Sequence, residues 1–167
     1  MNILSNPFRN KNGFGVEDAD LLPSIDVVTP RSLLARCPVA NVTPLVELNG
    51  FGNSGRVFVK DERARMGVGS FKALGAAYVI AHAAQNDDQS SKTYVTASAG
   101  NHGISVAAGA QAFGAKSVVY LSHHVPKGFG ARLEAHGATV VWVGEDYAES
   151  LEAAEKAAEE NGWSLLS

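Results

Sequence analysis

The stretch TYVTASAGNHGISVAAGAQAFGAKSVVYL, residues 93–121, decides the fold. It opens on TYVTA and closes on SVVYL, two short β-branched and aromatic runs of strand character. Between them, NHGISVAAGAQAFGA is long, proline-free and rich in small residues, which suits a helix. A strand, a helix and a second strand in that order form a parallel unit, because the helix carries the chain back to the end of the sheet it came from. The turn SAGNHG, residues 98–103, then falls at the carboxyl end of the first strand, where open parallel sheets place their ligands.

The alternation continues downstream. PKGFGARLEAHG reads as a helix opened by Pro126 and closed by Gly137, and ATVVWVG as a strand. EDYAESLEAAEKAAEENG is an amphipathic helix with Tyr147, Leu151, Ala154 and Ala158 on one face. Glu152 and Lys156 are spaced as an i,i+4 ion pair on it, Gly162 ends it, and WSLL begins another strand. Upstream, GVGSFKALGAAYVIAHAA, residues 67–84, predicts a helix with Ser70 as its N-cap, followed by the exposed loop QNDDQSSK. RVFVKDE predicts a strand after the glycine-rich turn NGFGNSG. The first fifty residues read as irregular, with one short helix in TPRSLLARCP, Pro30 in its first turn and Pro38 past its end. The fold class is therefore α/β, a parallel sheet covered on both faces in three layers.

Composition narrows the function. The chain has 167 residues, 46% hydrophobic and 19% charged, enough apolar mass for a core. Its net charge of −3 is scattered in both signs, which gives no electrostatic case for nucleic acid or an anionic membrane surface. The single cysteine, Cys37, has no internal disulfide partner, which suits a reducing cytosol. MNILSNPFRNKNGF lacks the apolar core of a signal peptide, and no apolar run is long enough to span a bilayer, so a cytoplasmic protein is expected. His123 and His124 are adjacent but have no third ligand nearby, so no metal is expected. Arg63 and Arg65 are open to two readings, surface charge or approach to an anionic ligand.

Lys72 is the one charge between Phe71 and Ala84. A helix apolar on nearly every side is expected to be buried, and an ammonium desolvated there loses its preference for the charged form. The start of a helix dipole pushes the same way. An amine so placed is the kind that condenses with a carbonyl ligand. The turn at 98–103 supplies glycines, hydroxyls, the Asn101 amide and free backbone N–H groups, a set suited to a carboxylate. It also reads as a simple capped turn, with Ser98 or Asn101 as the cap and Gly100 at positive φ. Its glycine spacing is not that of a dinucleotide fingerprint.

TPL (43–45), VFVKDE (57–62), GSFKALGA (69–76) and SAGNHG (98–103) stand in an order and spacing that resembles the serine/threonine dehydratase group of pyridoxal-phosphate enzymes. Within that group HVPKGFGARLEAHGATVVWVGEDYAESLEAAEKAAEENGW is most similar to the diaminopropionate ammonia-lyases. The resemblance implies the tryptophan synthase β fold (fold type II), with residues 1–70 belonging to a larger domain and 71–167 to a small α/β domain. It implies pyridoxal phosphate as cofactor, Lys72 as its covalent anchor and the general base, Phe71 packed beside it and Asn101 bonded to its 3′-hydroxyl. Ser98, Ala99, Gly100 and His102 would lie along the loop receiving the substrate carboxylate. The implied reaction is elimination of ammonia from a small β-amino-substituted amino acid to a 2-oxo acid, in a homodimer. Ala99 stands where diaminopropionate lyases carry an aspartate and matches the plain dehydratase pattern SAGNH, so a threonine/serine dehydratase is the alternative. The group continues past the present length into a glycine-rich loop for the cofactor phosphate, so the chain resembles its N-terminal portion. A non-catalytic module of the same fold and a nucleotide-binding α/β domain are the rival classes, the latter disfavoured by the glycine spacing.

Overall fold

The computed structural model describes residues 26–50 and 56–167. Residues 51–55, most of the expected glycine-rich turn, and the irregular segment expected before residue 26 lie outside the described residues.

The elements are α1 (Val28–Ala35), β1 (Leu45–Leu48), β2 (Val57–Lys60), α2 (Lys72–Ala83), β3 (Thr93–Ala97), α3 (Asn101–Ala112), β4 (Lys116–Leu121), α4 (Lys127–Glu134), β5 (Ala138–Trp142), α5 (Tyr147–Asn161) and β6 (Ser164–Leu165). Strand β1 is an addition to the sequence reading, which took this region as irregular. It pairs antiparallel with β2, Leu45 opposite Lys60 and Leu48 opposite Val57, in a sheet of their own. Four residues between Pro44 and Asn49 carry too short a pattern to show as a strand without the partner that supplies the ladder.

The main sheet is parallel, with strand order β5-β4-β3-β6. The chain steps outward from β3 through β4 to β5 and then returns to place β6 on the free side of β3. Right-handed crossovers in opposite directions require helices on opposite faces, and that is the arrangement found. Val119 and Leu121 of β4 pack with Ile104 and Ala107 of α3 and Leu133 of α4. Val95 and Ala97 of β3 and Val118 of β4 pack with Ala154 and Ala158 of α5 on the other side. Helix α2 lies outside α3, its Ala76 and Ile80 against Val106 and Ala110. Small residues on α3 permit the close approach: a Cβ on Gly109 would stand 3.1 Å from Ile80 Cδ1.

Four local expectations are corrected. On α5, Ser150 rather than Tyr147 joins Ala154 and Ala158 on the buried face, and Tyr147 is exposed, since it sits at the helix start beyond the sheet. The ion pair on that helix is Lys156–Glu160 at 3.9 Å rather than Glu152–Lys156; on an exposed surface either partner costs or gains little. The loop 85–92 is not wholly exposed: Gln89 is buried and its Oε1 accepts from the buried Tyr94 hydroxyl at 2.7 Å, a pairing across five residues that composition conceals. Helix α4 starts at Pro126 as its cap but ends at Glu134; Gly137, at φ +77°, makes the turn into β5 instead.

Candidate active site

Lys72 opens α2, and the segment before it is held by an ion pair between the buried Arg65 and the half-buried Glu62. Arg65 has both readings settled by its contacts: it approaches no outside anion and is no surface charge. Its guanidinium donates to both oxygens of Glu62 at 2.6 and 2.9 Å, to the Thr43 hydroxyl at 2.8 Å and to the Asn41 carbonyl at 2.9 Å. The Thr43 hydroxyl in turn donates to Glu62 at 2.6 Å. The Arg65 bond, aided by Thr43, holds the Glu62 carboxyl down at about 2. TPL and KDE, two of the quoted motifs, are thereby tied to the loop that delivers the lysine. Arg63 remains on the surface, paired with Asp61 at 2.6 Å.

Beyond Arg65 the loop turns sharply: Met66, Gly67 and Gly69 have φ of 49°, 71° and 77°. The Arg65 carbonyl accepts from the N–H groups of Val68 and Gly69, both at 3.0 Å. Ser70 is buried and its hydroxyl accepts from the Lys72 N–H at 3.2 Å, so it does cap the helix start, although Phe71 occupies the formal N-cap position.

The expectation of a buried Lys72 is overturned. Helix α2 is buried only along Ala73, Ala76 and Ile80; Lys72 is exposed, as are Phe71 and Val79. The Lys72 ammonium stands 5.8 Å from the Phe71 ring centroid, and among the described residues no carboxylate pairs with it. An apolar composition says that a helix can be buried on every side, while the number of neighbours decides how many sides are.

The 98–103 turn joins β3 to α3 beside the point where the strand order reverses, where such sheets bind ligands. The Gly100 N–H donates to the Ser98 hydroxyl at 3.3 Å. Gly100 has φ −148°, extended backbone rather than the positive φ of a simple capped turn, and no side chain caps α3. The first N–H groups of α3, on Asn101, His102 and Gly103, therefore lack intrahelical partners and face outward at the positive end of the helix. Gly103 is required sterically, since a Cβ there would meet the Ser98 carbonyl oxygen at 2.6 Å. The His102 ring is engaged elsewhere: its Nε2 stands 3.1 Å from the Leu166 carbonyl oxygen, so that nitrogen carries the proton and donates. His102 thus offers its main chain to the turn and its imidazole to the β6 end.

Two contacts bring the lysine and the turn to one end of the molecule. Val68, four residues before Lys72, packs against the apolar cluster that includes Ile104, three after Asn101. Further along, Ala76 and Ile80 meet Val106 and Ala110. The loop that leads to Lys72 is thereby set against the cluster to which the first turn of α3 contributes. Sequence reasoning missed Val68 and Arg65, because neither signals its role except through residues distant in the chain. His124 on the neighbouring loop bonds through Nδ1 to the Glu145 carbonyl.

A parallel α/β sheet that carries an accessible helix-start lysine and an uncapped glycine-bearing turn offers an amine and main-chain N–H donors at helix starts. A family model described as pyridoxal-phosphate dependent enzyme matches residues 38–167, and the chain belongs to that family. It is 30% identical to diaminopropionate ammonia-lyase of Salmonella typhimurium, over 77% of this chain and 36% of that protein. It is 32% identical to the catabolic L-threonine dehydratase of Staphylococcus aureus, over 77% of this chain and 37% of that protein. Among solved structures it is similar to Escherichia coli diaminopropionate ammonia lyase in complex with an aminoacrylate-PLP azomethine reaction intermediate, at 27% identity and a TM-score of 0.74, covering 82% of this chain and 39% of that one. The chain thus spans little more than a third of the curated relatives it matches. The expected α/β fold of type II pyridoxal-phosphate enzymes is the fold found. Among the described residues no helix is long and apolar enough to cross a membrane.

Proposed function

We propose that the chain carries the lysine-bearing part of a pyridoxal-phosphate lyase that eliminates ammonia from a small β-amino-substituted amino acid of the 2,3-diaminopropionate type. The observation that carries this reading is the joint placement of Lys72 and the uncapped 98–103 turn at the starts of two packed helices. The residues fit the cofactor: an unpaired primary amine suits its aldehyde, and a turn that only glycine at 103 permits leaves main-chain donors open. Lys72 would hold the cofactor covalently, Phe71 would pack beside it and the Asn101 amide would bond to its 3′-hydroxyl. Bound there, pyridoxal phosphate supplies an electron sink for the carbanion formed at the substrate's Cα.

The chain's own groups do the rest. Ser98, Ala99, Gly100 and the His102 N–H would seat the substrate carboxylate against the positive end of α3. The Lys72 amine would be the base that takes the Cα proton onto Nζ. The buried Arg65–Glu62–Thr43 network keeps the loop before it in place. A second reading, threonine/serine dehydratase, is favoured by Ala99, which places a methyl group rather than a carboxylate in the turn. The separate β1–β2 sheet supports a division of the fold near residue 70, and a homodimer in the cytosol accords with the family reading.

The test is chemical. The chain is incubated with pyridoxal phosphate and reduced with borohydride. The reading requires a visible absorbance band that borohydride abolishes, and a pyridoxyl group on the peptide holding Lys72. A band and a label unchanged in Lys72→Ala would point instead to a non-catalytic module with adventitious lysine chemistry.

A further inference from the structure

Beside the 98–103 turn lies a second feature that the motifs do not account for. A pocket of about 590 Å³ is lined by Ala99 and by residues of the β4–α4 loop and α4, including Ser122, His124, Phe129 and Arg132. Among the described residues no carboxylate lines it. The Arg132 guanidinium stands 5.5 Å from the Phe129 ring centroid, and among the described residues no carboxylate pairs with it. The neighbouring cation, Lys127, is engaged differently, over the Trp142 ring at 3.4 Å. The same ring packs on Gly130, where a Cβ would stand 2.9 Å from it. His124 faces Glu145, its Nε2 3.8 Å from the carboxylate. Arg132 is therefore the full charge on the pocket wall left without a counter-ion, steadied by an aromatic face as guanidinium groups commonly are.

We infer that Arg132 binds a carboxylate of the amino-acid substrate in the pocket it lines with Ala99, making it a further substrate-binding residue. The inference rests on the reading of the 98–103 turn as the amino-acid site. A planar guanidinium matches a carboxylate with two parallel N–H···O bonds. The uncapped start of α3, two residues after Ala99, favours negative charge near that end of the pocket. Two carboxylates have that chemistry, the α-carboxylate shared by all amino acids and the side-chain carboxylate of a dicarboxylic one.

The experiment titrates the ¹⁵N-labelled full chain with sodium acetate, and with acetamide as the neutral isostere, at constant ionic strength. Acetate is expected to shift the amides of Ala99, Gly100 and Phe129 saturably, and acetamide is not. Arg132→Gln should weaken acetate about ten-fold, the loss of one charged hydrogen-bonding partner, and Arg132→Lys should recover part of it. L-serine and L-aspartate identify the source. Weakening of both by Arg132→Gln assigns the α-carboxylate, and weakening of L-aspartate alone assigns a side-chain carboxylate. Acetate and acetamide behaving alike, or acetate binding indifferent to Arg132→Gln, overturns the inference. The borohydride test is independent: pyridoxyl on Lys72 with Arg132-indifferent acetate binding removes this inference alone, and the reverse outcome removes the cofactor reading alone.

Discussion

Gly103→Ala tests whether the turn at the head of α3 is as tightly built as its geometry states. An added Cβ would stand 2.6 Å from the Ser98 carbonyl oxygen, about 0.8 Å inside ordinary contact at 3.4 Å. It would also meet Ser98 Cβ at 3.3 Å and Val119 Cγ1 at 3.4 Å. The first of these is backbone at the end of β3, which cannot rotate away. Overpacking against rigid neighbours costs about 1–3 kcal/mol, and the absence of a flexible partner places this case near the top of that range. Alanine in a helix returns about 1 kcal/mol through its higher propensity. The net expectation is destabilisation by about 1–2 kcal/mol. With a urea m-value of about 2 kcal/mol/M, the midpoint should fall by about 0.5–1 M with the slope unchanged. Gly75→Ala is the control, because Gly75 lies inside α2 with nothing within 4 Å of an added Cβ. Propensity acts alone there, so the midpoint should rise, by about 0.3–0.5 M. A Gly103→Ala chain that unfolds at the same urea concentration as the parent, beside a stabilised Gly75→Ala, would refute the steric reasoning.

Leu133 is fully buried between α4 and β4, and Leu133→Ala should cost about 2–5 kcal/mol through lost transfer energy and the cavity left behind, read by urea unfolding. Glu62 predicts an acid limb: its carboxyl is held at about 2 against an ordinary 4.5. A depressed folded value means that its contribution is intact above the ordinary pKa and lost as pH falls from 4.5 toward about 2. Circular dichroism across that window should show a shallower acid transition in Glu62→Gln; an identical slope would show that the Arg65 pair does not govern it.

Much of the fold was legible before any coordinates. TYVTA, SVVYL and ATVVWVG carry the β-branched runs of buried parallel strands and are found as β3, β4 and β5. Between them α3 announces itself by its run of small residues and α4 by the proline before it, and the four quoted motifs were enough to indicate the family that the match over residues 38–167 shows. What stayed hidden is long-range. Strand β1 exists through its ladder with β2. The buried bonds of Arg65 reach back to Asn41 and Thr43, and those of Tyr94 reach Gln89, so neither polar residue could be told from a surface one by its neighbours in the chain. The expectation for Lys72 failed for the same reason.

The chain's own order of residues determined the alternation of strands and helices, the parallel sense of the sheet and the placing of a lysine and a glycine turn at helix starts. These follow from local backbone preference and periodicity, which act over a few residues. Only the tertiary structure decided that α2 packs on α3, that Lys72 stands in the open while Arg65 is enclosed, and that Arg132 reaches the space beside Ala99. Burial and ion pairing depend on which distant surfaces meet, and no short stretch of sequence contains that information.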